Sequence, residues 1–168
     1  EDHAEVSPGE VGEIWVRGPN VIKEYWRRPD ATAAAFVDGW FRSGDLGYFD
    51  ADGYIFISDR LKDMIISGGE NIYSAEVEGR IMEISDIAAV ALIGIPDQKW
   101  GELPMAIVAL KPGASLEPEA ITQHLTGRLA KYKIPKRIVF VDELPRTASG
   151  KVRKADLRSQ FAAEAVSG

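Results

Sequence analysis

The chain has 168 residues, 45% of them hydrophobic and 27% charged, with a formal charge of −6 and no cysteine. This suits one globular domain with a sizeable core, or two small ones, and excludes a disordered or fibrous chain. It also excludes a disulfide framework, a thiol nucleophile and a thiolate metal site, and His3 and His124 stand too far apart in sequence to suggest a zinc cluster, so no metal site is expected. The longest strongly apolar run, Ile87 to Ile95, is about half of what a membrane span needs. Nothing at the N-terminus has the form of a signal peptide, so the expectation is a cytoplasmic protein with no transmembrane segment. The chain opens on Glu1 rather than methionine, which suggests a piece of something longer or a processed product.

The first sixty residues read as β-rich. Ser7-Pro8-Gly9-Glu10 is a turn, Glu13 to Arg17 alternates like a strand with one buried face, and Gly18-Pro19-Asn20 breaks it. Pro29 opens a short helix through Phe36, and Asp38-Gly39 turns the chain back. Trp40 to Ser43 and Leu46 to Phe49 read as two short strands flanking Gly44-Asp45. Asp50 to Gly53 is a turn into a strand at Tyr54 to Ser58.

At Asp59-Arg60-Leu61-Lys62-Asp63 the character changes, and helices and strands alternate from there on. Met64 to Ile66 is a strand, Ser67 to Asn71 a glycine loop, and Ser74 an N-cap for a helix from Ala75 to Ile84 with Val77, Ile81 and Ile84 on one stripe. Strands follow at Ile87 to Ile95 and Met105 to Leu110, then a helix from Pro118 to Leu129 and a strand at Arg137 to Val141. Pro145 to Gly150 is a polar loop, and Lys154 to Ala165 a weak terminal helix.

Charge is uneven. Lys131 to Arg158 holds nine Lys or Arg against three Asp or Glu on an otherwise acidic chain. Such a segment suits a phosphate-bearing ligand or is a solvated basic face, while the overall sign argues against a nucleic-acid partner. Three tempting motifs fail on their chemistry. Asp50-Ala51-Asp52-Gly53 would need an oxygen ligand at Tyr48 to be a calcium loop. Gly150-Lys151 lacks the P-loop's earlier glycine, where Pro145 stands, and its following hydroxyl, where Val152 stands. Ser67 and Ser149 sit in no nucleophile elbow and have no histidine near in sequence to act as base.

A set of ordered motifs remains: Ser43-Gly44-Asp45-Leu46-Gly47, Gly53-Tyr54, Asp59-Arg60-Leu61-Lys62-Asp63, Ser67-Gly68-Gly69-Glu70-Asn71-Ile72 with Glu76-Val77-Glu78, Trp100-Gly101-Glu102, and Leu144-Pro145-Arg146-Thr147-Ala148-Ser149-Gly150-Lys151. In this order the set resembles the C-terminal third of the acyl-adenylate-forming (AMP-binding) superfamily, nearest its AMP-forming acyl-CoA synthetases, the fatty-acid–CoA ligases. The resemblance runs from about Gly9 to Phe161. Glu24, where many members carry glycine, departs from it without touching a catalytic position.

The resemblance implies an α+β fold. Residues 1–61 would be the β-rich end of the large N-terminal domain, and 62–168 a small C-terminal α/β lid domain with a short mixed sheet flanked by helices. It implies a two-step reaction: a carboxylic acid attacks Mg-ATP to give acyl-AMP, then the small domain swings and coenzyme A displaces AMP. Asp45 and Arg60 resemble the nucleotide-binding, ribose-contacting residues, Lys62 the hinge, and Lys151 the catalytic lysine of adenylation. Gly68 and Gly69 resemble the loop lining the pantetheine tunnel, where absent side chains let a thin ligand approach the backbone. In isolation each has a plainer reading: a turn aspartate, a boundary ion pair, a surface lysine, a hairpin turn. Glu76, Trp100 and Glu102 match the pattern too, but helix-start and packing roles explain them equally.

The family's phosphate loop, its Mg²⁺ ligand and its acyl pocket precede the matched segment, so the chain alone is expected to be inactive. Its principal partner would be the missing N-terminal part of the same enzyme. The competing readings are an adenylation domain that loads a carrier protein and a non-catalytic phosphate-binding module.

Overall fold

In the computed structural model residues 3–165 are described, with side chains through Phe161, and the chain divides into two compact units, Glu1–Lys62 and Asp63–Gly168. The N-terminal unit contains β1 (Gly12–Val16), α1 (Pro29–Ala35), β2 (Phe36–Val37), β3 (Trp40–Phe49) and β4 (Ile55–Arg60). Its sheet is antiparallel, with β3 pairing β1, β2 and β4.

Where the sequence reads as two short strands around Gly44-Asp45, the structure has one ten-residue strand. Gly44 takes φ +71°, the left-handed conformation that makes the dipeptide look like a break. The strand survives because β1 and β4 hold it from both sides. Register irregularities at Glu13/Trp15 and at Leu46/Gly47 absorb the distortion. Three residues after Gly44, Gly47 is required for another reason: a Cβ there would stand 2.5 Å from the Phe56 carbonyl oxygen. The turn into β4 is closed by Asp50, whose Oδ1 accepts the amides of Asp52 (3.0 Å) and Tyr54 (2.9 Å). That carboxylate serves its own turn, in keeping with a hairpin rather than a calcium loop.

The C-terminal unit contains β5 (Ile65–Ser67), β6 (Glu70–Ile72), α2 (Ser74–Ile81), β7 (Ile87–Asp97), β8 (Gly101–Leu110), α3 (Pro118–Leu125), β9 (Arg137–Val141) and α4 (Lys154–Ala165). Single 3₁₀ turns lie at Leu61–Asp63 and Lys131–Lys133. β8 is the hub: antiparallel to β7 along its length, antiparallel to β5 at Gly101, and parallel to β9 over Met105 to Ala109. The sheet is therefore mixed and flanked by helices, and the fold class is α+β.

Strand alternation sends successive residues to opposite faces, and here both faces are buried. Val90, Leu92, Ala106 and Val108 face one cluster, covered by Val77 and Ile81 of α2 and by Ile121 and Leu125 of α3. Ala91, Ile93, Met105 and Ile107 face the other, covered by Leu144 and by Leu157 and Phe161 of α4. This double burial is why Ile87 to Ile95 reads as a continuous apolar run instead of an alternation.

Helix ends differ from expectation. Tyr73, not Ser74, occupies the N-cap of α2 and Ser74 is its first residue; α2 stops at Ile81 and α3 at Leu125. Among the described residues, no helix is long and apolar enough to cross a membrane.

Candidate functional site

Asp45 and Arg60 are direct cross-strand neighbours on β3 and β4, and Arg60 Nε lies 2.8 Å from Asp45 Oδ1. Strand pairing thus brings together two candidate nucleotide contacts fifteen positions apart in sequence. The backbone behind Asp45 is tied down. Its amide donates to Ser43 Oγ (3.0 Å), and that hydroxyl donates to the Ile14 carbonyl of β1 (2.7 Å). Glu13 of β1 accepts from Trp15 Nε1 (2.9 Å), Arg42 Nε (3.0 Å) and the Gly44 amide (3.2 Å). Burial is the largest influence on this carboxyl and raises its pKa. The Trp15 and Arg42 hydrogen bonds, the Arg42 charge and the Gly44 amide together outweigh it, so the pKa is held below the ordinary carboxylate value.

Lys62 is the middle residue of the 3₁₀ turn, and the division between the two units falls directly after it. The next residue, Asp63, is fastened within the C-terminal unit by Arg158 of α4, with Nη1 at 3.2 Å and Nη2 closer still.

Gly68 and Gly69 form the two-residue turn of the β5–β6 hairpin, with φ +61° and +86° and Ser67 paired to Glu70. Positive φ at both positions is what a type I′ turn demands. Gly68 meets a second constraint, since a Cβ there would stand 2.6 Å from Trp100 Cε3. Its amide also donates to the Trp100 carbonyl (2.8 Å). Glu102 Oε2 accepts the Ile66 amide (2.9 Å), and Glu76 pairs with Lys133 Nζ at 2.6 Å. Trp100 and Glu102 thus buttress the glycine turn from β8 and its approach, while Glu76 links α2 to the turn before β9.

Lys151 sits at the end of a tight loop. Thr147 N donates to the Lys151 carbonyl (2.8 Å), Lys151 N donates to Thr147 Oγ1 (3.2 Å), and Arg146 Nη1 donates to the Gly150 carbonyl (2.8 Å). An antiparallel bridge between Arg146 and Val152 closes the base. The backbone is fixed and the Lys151 side chain is exposed, with no hydrogen bond or ion pair to its ammonium among the described residues. Three residues on, Lys154 anchors the stem of the loop: its Nζ contacts Ser74 Oγ (2.6 Å) and Glu78 Oε1 (2.8 Å), and Glu78 also accepts the Leu92 amide (2.7 Å).

Glu13, Glu78, Lys154 and Arg158 were not legible as site-supporting residues. Apart from Trp15, two positions from Glu13, the partners named here lie 14 to 95 positions away, beyond any local spacing rule. One signal was available for Glu13: alternation puts it on the same face of β1 as Trp15.

Among the described residues, no group of three or more His, Asp or Glu could hold a metal ion. What these units offer is carboxylate and guanidinium groups suited to sugar hydroxyls, and an ammonium on a rigid loop suited to phosphate or carboxylate oxygens.

Residues 76–151 match the AMP-binding enzyme C-terminal domain. The chain is 52% identical over 96% of its length to the indoleacetate–CoA ligase of Aromatoleum aromaticum, of which it spans 32%. It is 48% identical over 90% of its length to a long-chain-fatty-acid–CoA ligase of Mycobacterium tuberculosis, spanning 30% of that protein. Its fold matches Bacillus subtilis o-succinylbenzoate–CoA synthetase, solved with its acyl-adenylate intermediate, with a TM-score of 0.86 at 43% identity, covering 96% of this chain and 32% of that one. The chain belongs to the acyl-adenylate-forming, AMP-binding superfamily. Its matched residues are those of the C-terminal domain of AMP-binding enzymes, and the chain spans about a third of the length of the curated CoA ligases it is similar to.

Proposed function

We propose that this chain works as the C-terminal part of an AMP-forming acyl-CoA synthetase, joined to an N-terminal part that carries the phosphate loop and acyl pocket. Residues 1–61 complete the large domain, 62–168 are the mobile lid, and Lys62 is the hinge. In the first step a carboxylate oxygen attacks the α-phosphorus of ATP, the bond to the β-phosphate breaks and pyrophosphate leaves. Mg²⁺ enters with ATP and is held by residues outside this chain. The thiolate of coenzyme A then attacks the acyl carbonyl, and AMP leaves with its phosphate oxygen.

Asp45 and Arg60 bind the ribose, the aspartate accepting hydrogen bonds from vicinal hydroxyls. Lys151 neutralises charge that builds between carboxylate and α-phosphate. The Gly68-Gly69 turn borders the path of the pantetheine arm. We take a fatty acid as the acyl donor, supported by the resemblance and by the long-chain relative, and the cytoplasm as the enzyme's location. A panel of fatty and aromatic acids tests the first point; turnover confined to aromatic acids replaces it.

The observation that carries this reading is the exposed Lys151 ammonium on a backbone pinned at both ends, within the matched domain. Lys151→Ala in the intact enzyme should slow acyl-AMP formation by a factor on the order of 10²–10³, about 3–4 kcal/mol. Thioester formation from supplied acyl-AMP should stay near normal, because Lys151 acts only in the first transition state. Equal loss in both steps would assign Lys151 a structural role, and a carrier-protein thiol accepted in place of coenzyme A would move the enzyme to the carrier-loading branch.

A further inference from the structure

The Glu13 carboxylate is more heavily engaged than fastening two strands requires. Its side chain is 14% exposed, and four donor groups converge on it: Trp15 Nε1, Arg42 Nε, Arg42 Nη2 at 3.0 Å, and the Gly44 amide. The Arg42 guanidinium also lies over the Trp15 ring, 5.7 Å from its centroid, so the cluster is fixed by stacking as well as by charge. The last donor matters most. Gly44 immediately precedes Asp45 and holds φ +71°, a conformation its own strand would not impose. Ser43 Oγ accepts the Asp45 amide. The two successive peptides that lead into Asp45 are thus tied to one segment of β1, the first directly by Glu13 and the second through Ser43 to the Ile14 carbonyl.

We infer that Glu13 is a positioning residue for nucleotide recognition: by gripping the Gly44 peptide and Arg42 it aims the Asp45 carboxylate at the vicinal hydroxyls of a ribose. This rests on the reading of Asp45 as the ribose contact. Accepting from two adjacent hydroxyls requires both carboxylate oxygens at hydrogen-bonding angles, so a small rotation of the Asp45 backbone weakens both bonds. Glu13→Gln keeps the shape of the side chain. It removes the charge facing Arg42 and sets an NH₂ group against one of the donors.

The test measures KM and kcat of adenylation in the intact enzyme, by pyrophosphate release, with ATP and with 2′,3′-dideoxy-ATP, which has no ribose hydroxyl to recognise. Glu13→Gln should raise KM for ATP roughly tenfold, the value of about one charged hydrogen bond. It should leave kcat and the KM for the dideoxy nucleotide unchanged. A rise of equal size for both nucleotides would reduce Glu13 to a strand fastener and overturn the inference. Asp45→Ala is the reference. If it raises KM for ATP alone while Glu13→Gln does not, only the inference fails; if it fails to separate the two nucleotides, the ribose assignment of Asp45 fails as well. Should Glu13→Gln not fold, Arg42→Lys decides, because it keeps the charge and loses the Nε hydrogen bond. An ATP-selective rise supports the inference, and an unchanged ratio of the two KM values overturns it.

Discussion

The two units handle their apolar residues in opposite ways. In the C-terminal unit both faces of the sheet are covered, and Leu92, Ile107, Ile121 and Leu125 are all at 0% exposure. In the N-terminal unit Leu46 is the only large apolar side chain that is buried among the described residues, while Trp26, Ile57 and Tyr54 are 80%, 71% and 69% exposed. A single sheet with one short helix can bury little on its own, whereas a sheet between two helical layers encloses a core. The difference teaches that a division by compactness need not be a division into equally self-sufficient pieces.

The largest effect that could break this comparison is a core truncation. Leu92→Ala should cost about 2–5 kcal/mol in denaturant unfolding, from lost transfer energy plus the cavity left behind. Ile57→Ala should fall within about 0.5 kcal/mol of wild type. Of the four tryptophans, Trp100 alone belongs to the C-terminal unit, so its fluorescence, read in a chain with the other three replaced by Phe, reports that unit. A comparable loss at Ile57, read from the N-terminal tryptophans in a chain with Trp100 replaced by Phe, would show that the N-terminal unit has a real core of its own.

Next in size is the pair of glycines in the β5–β6 turn. Both hold positive φ, so alanine at either should cost about 1–2 kcal/mol of backbone strain. Gly68→Ala should cost clearly more than Gly69→Ala, because only Gly68 faces the Trp100 ring while nothing lies within 4 Å of a Cβ at Gly69. Equal melting temperatures for the two variants would show that Trp100 yields freely.

The smallest effect concerns pH and the N-terminal unit. The folded pKa of Glu13 lies below its ordinary 4.5. Its contribution to stability is therefore complete above that value and is lost as pH falls through the lower folded one. Acidification below pH 4.5 should release the Trp15 indole, visible in its N–H resonance, and Glu13→Gln should flatten that dependence.

How much of this could be read in advance depended on how local each cause is. The β7 and β8 cores, the α3 start at Pro118 and the split in character near Lys62 were legible, since apolar runs and proline act over a few residues. Gly44 misled because its backbone preference is local while the pairing that keeps it in β3 comes from β1 and β4. Ser74 misled in the same way: a good N-cap by type, it sits one position inside the helix, and its hydroxyl contacts Lys154, 80 positions away. The candidate residues were legible only as matches to a pattern. That Asp45 and Arg60 touch one another, and that Glu13 stands behind them, follows from strand register.

The two clusters of the C-terminal unit also differ in when their parts are made. The apolar face of Ala91, Ile93, Met105 and Ile107 exists once β8 ends at Leu110, but α4 supplies Leu157 and Phe161 about fifty residues later. At about 5–20 residues per second that face waits on the order of 3–10 s during synthesis before its cover is translated. The opposite face receives Val77 and Ile81 before its strands are even complete. Its remaining cover, Ile121 and Leu125 of α3, follows within about fifteen residues of β8, so from then on the nascent chain is sticky on the α4 side, and a ribosome stalled in the Thr147–Lys151 loop would hold it with α3 translated and α4 not.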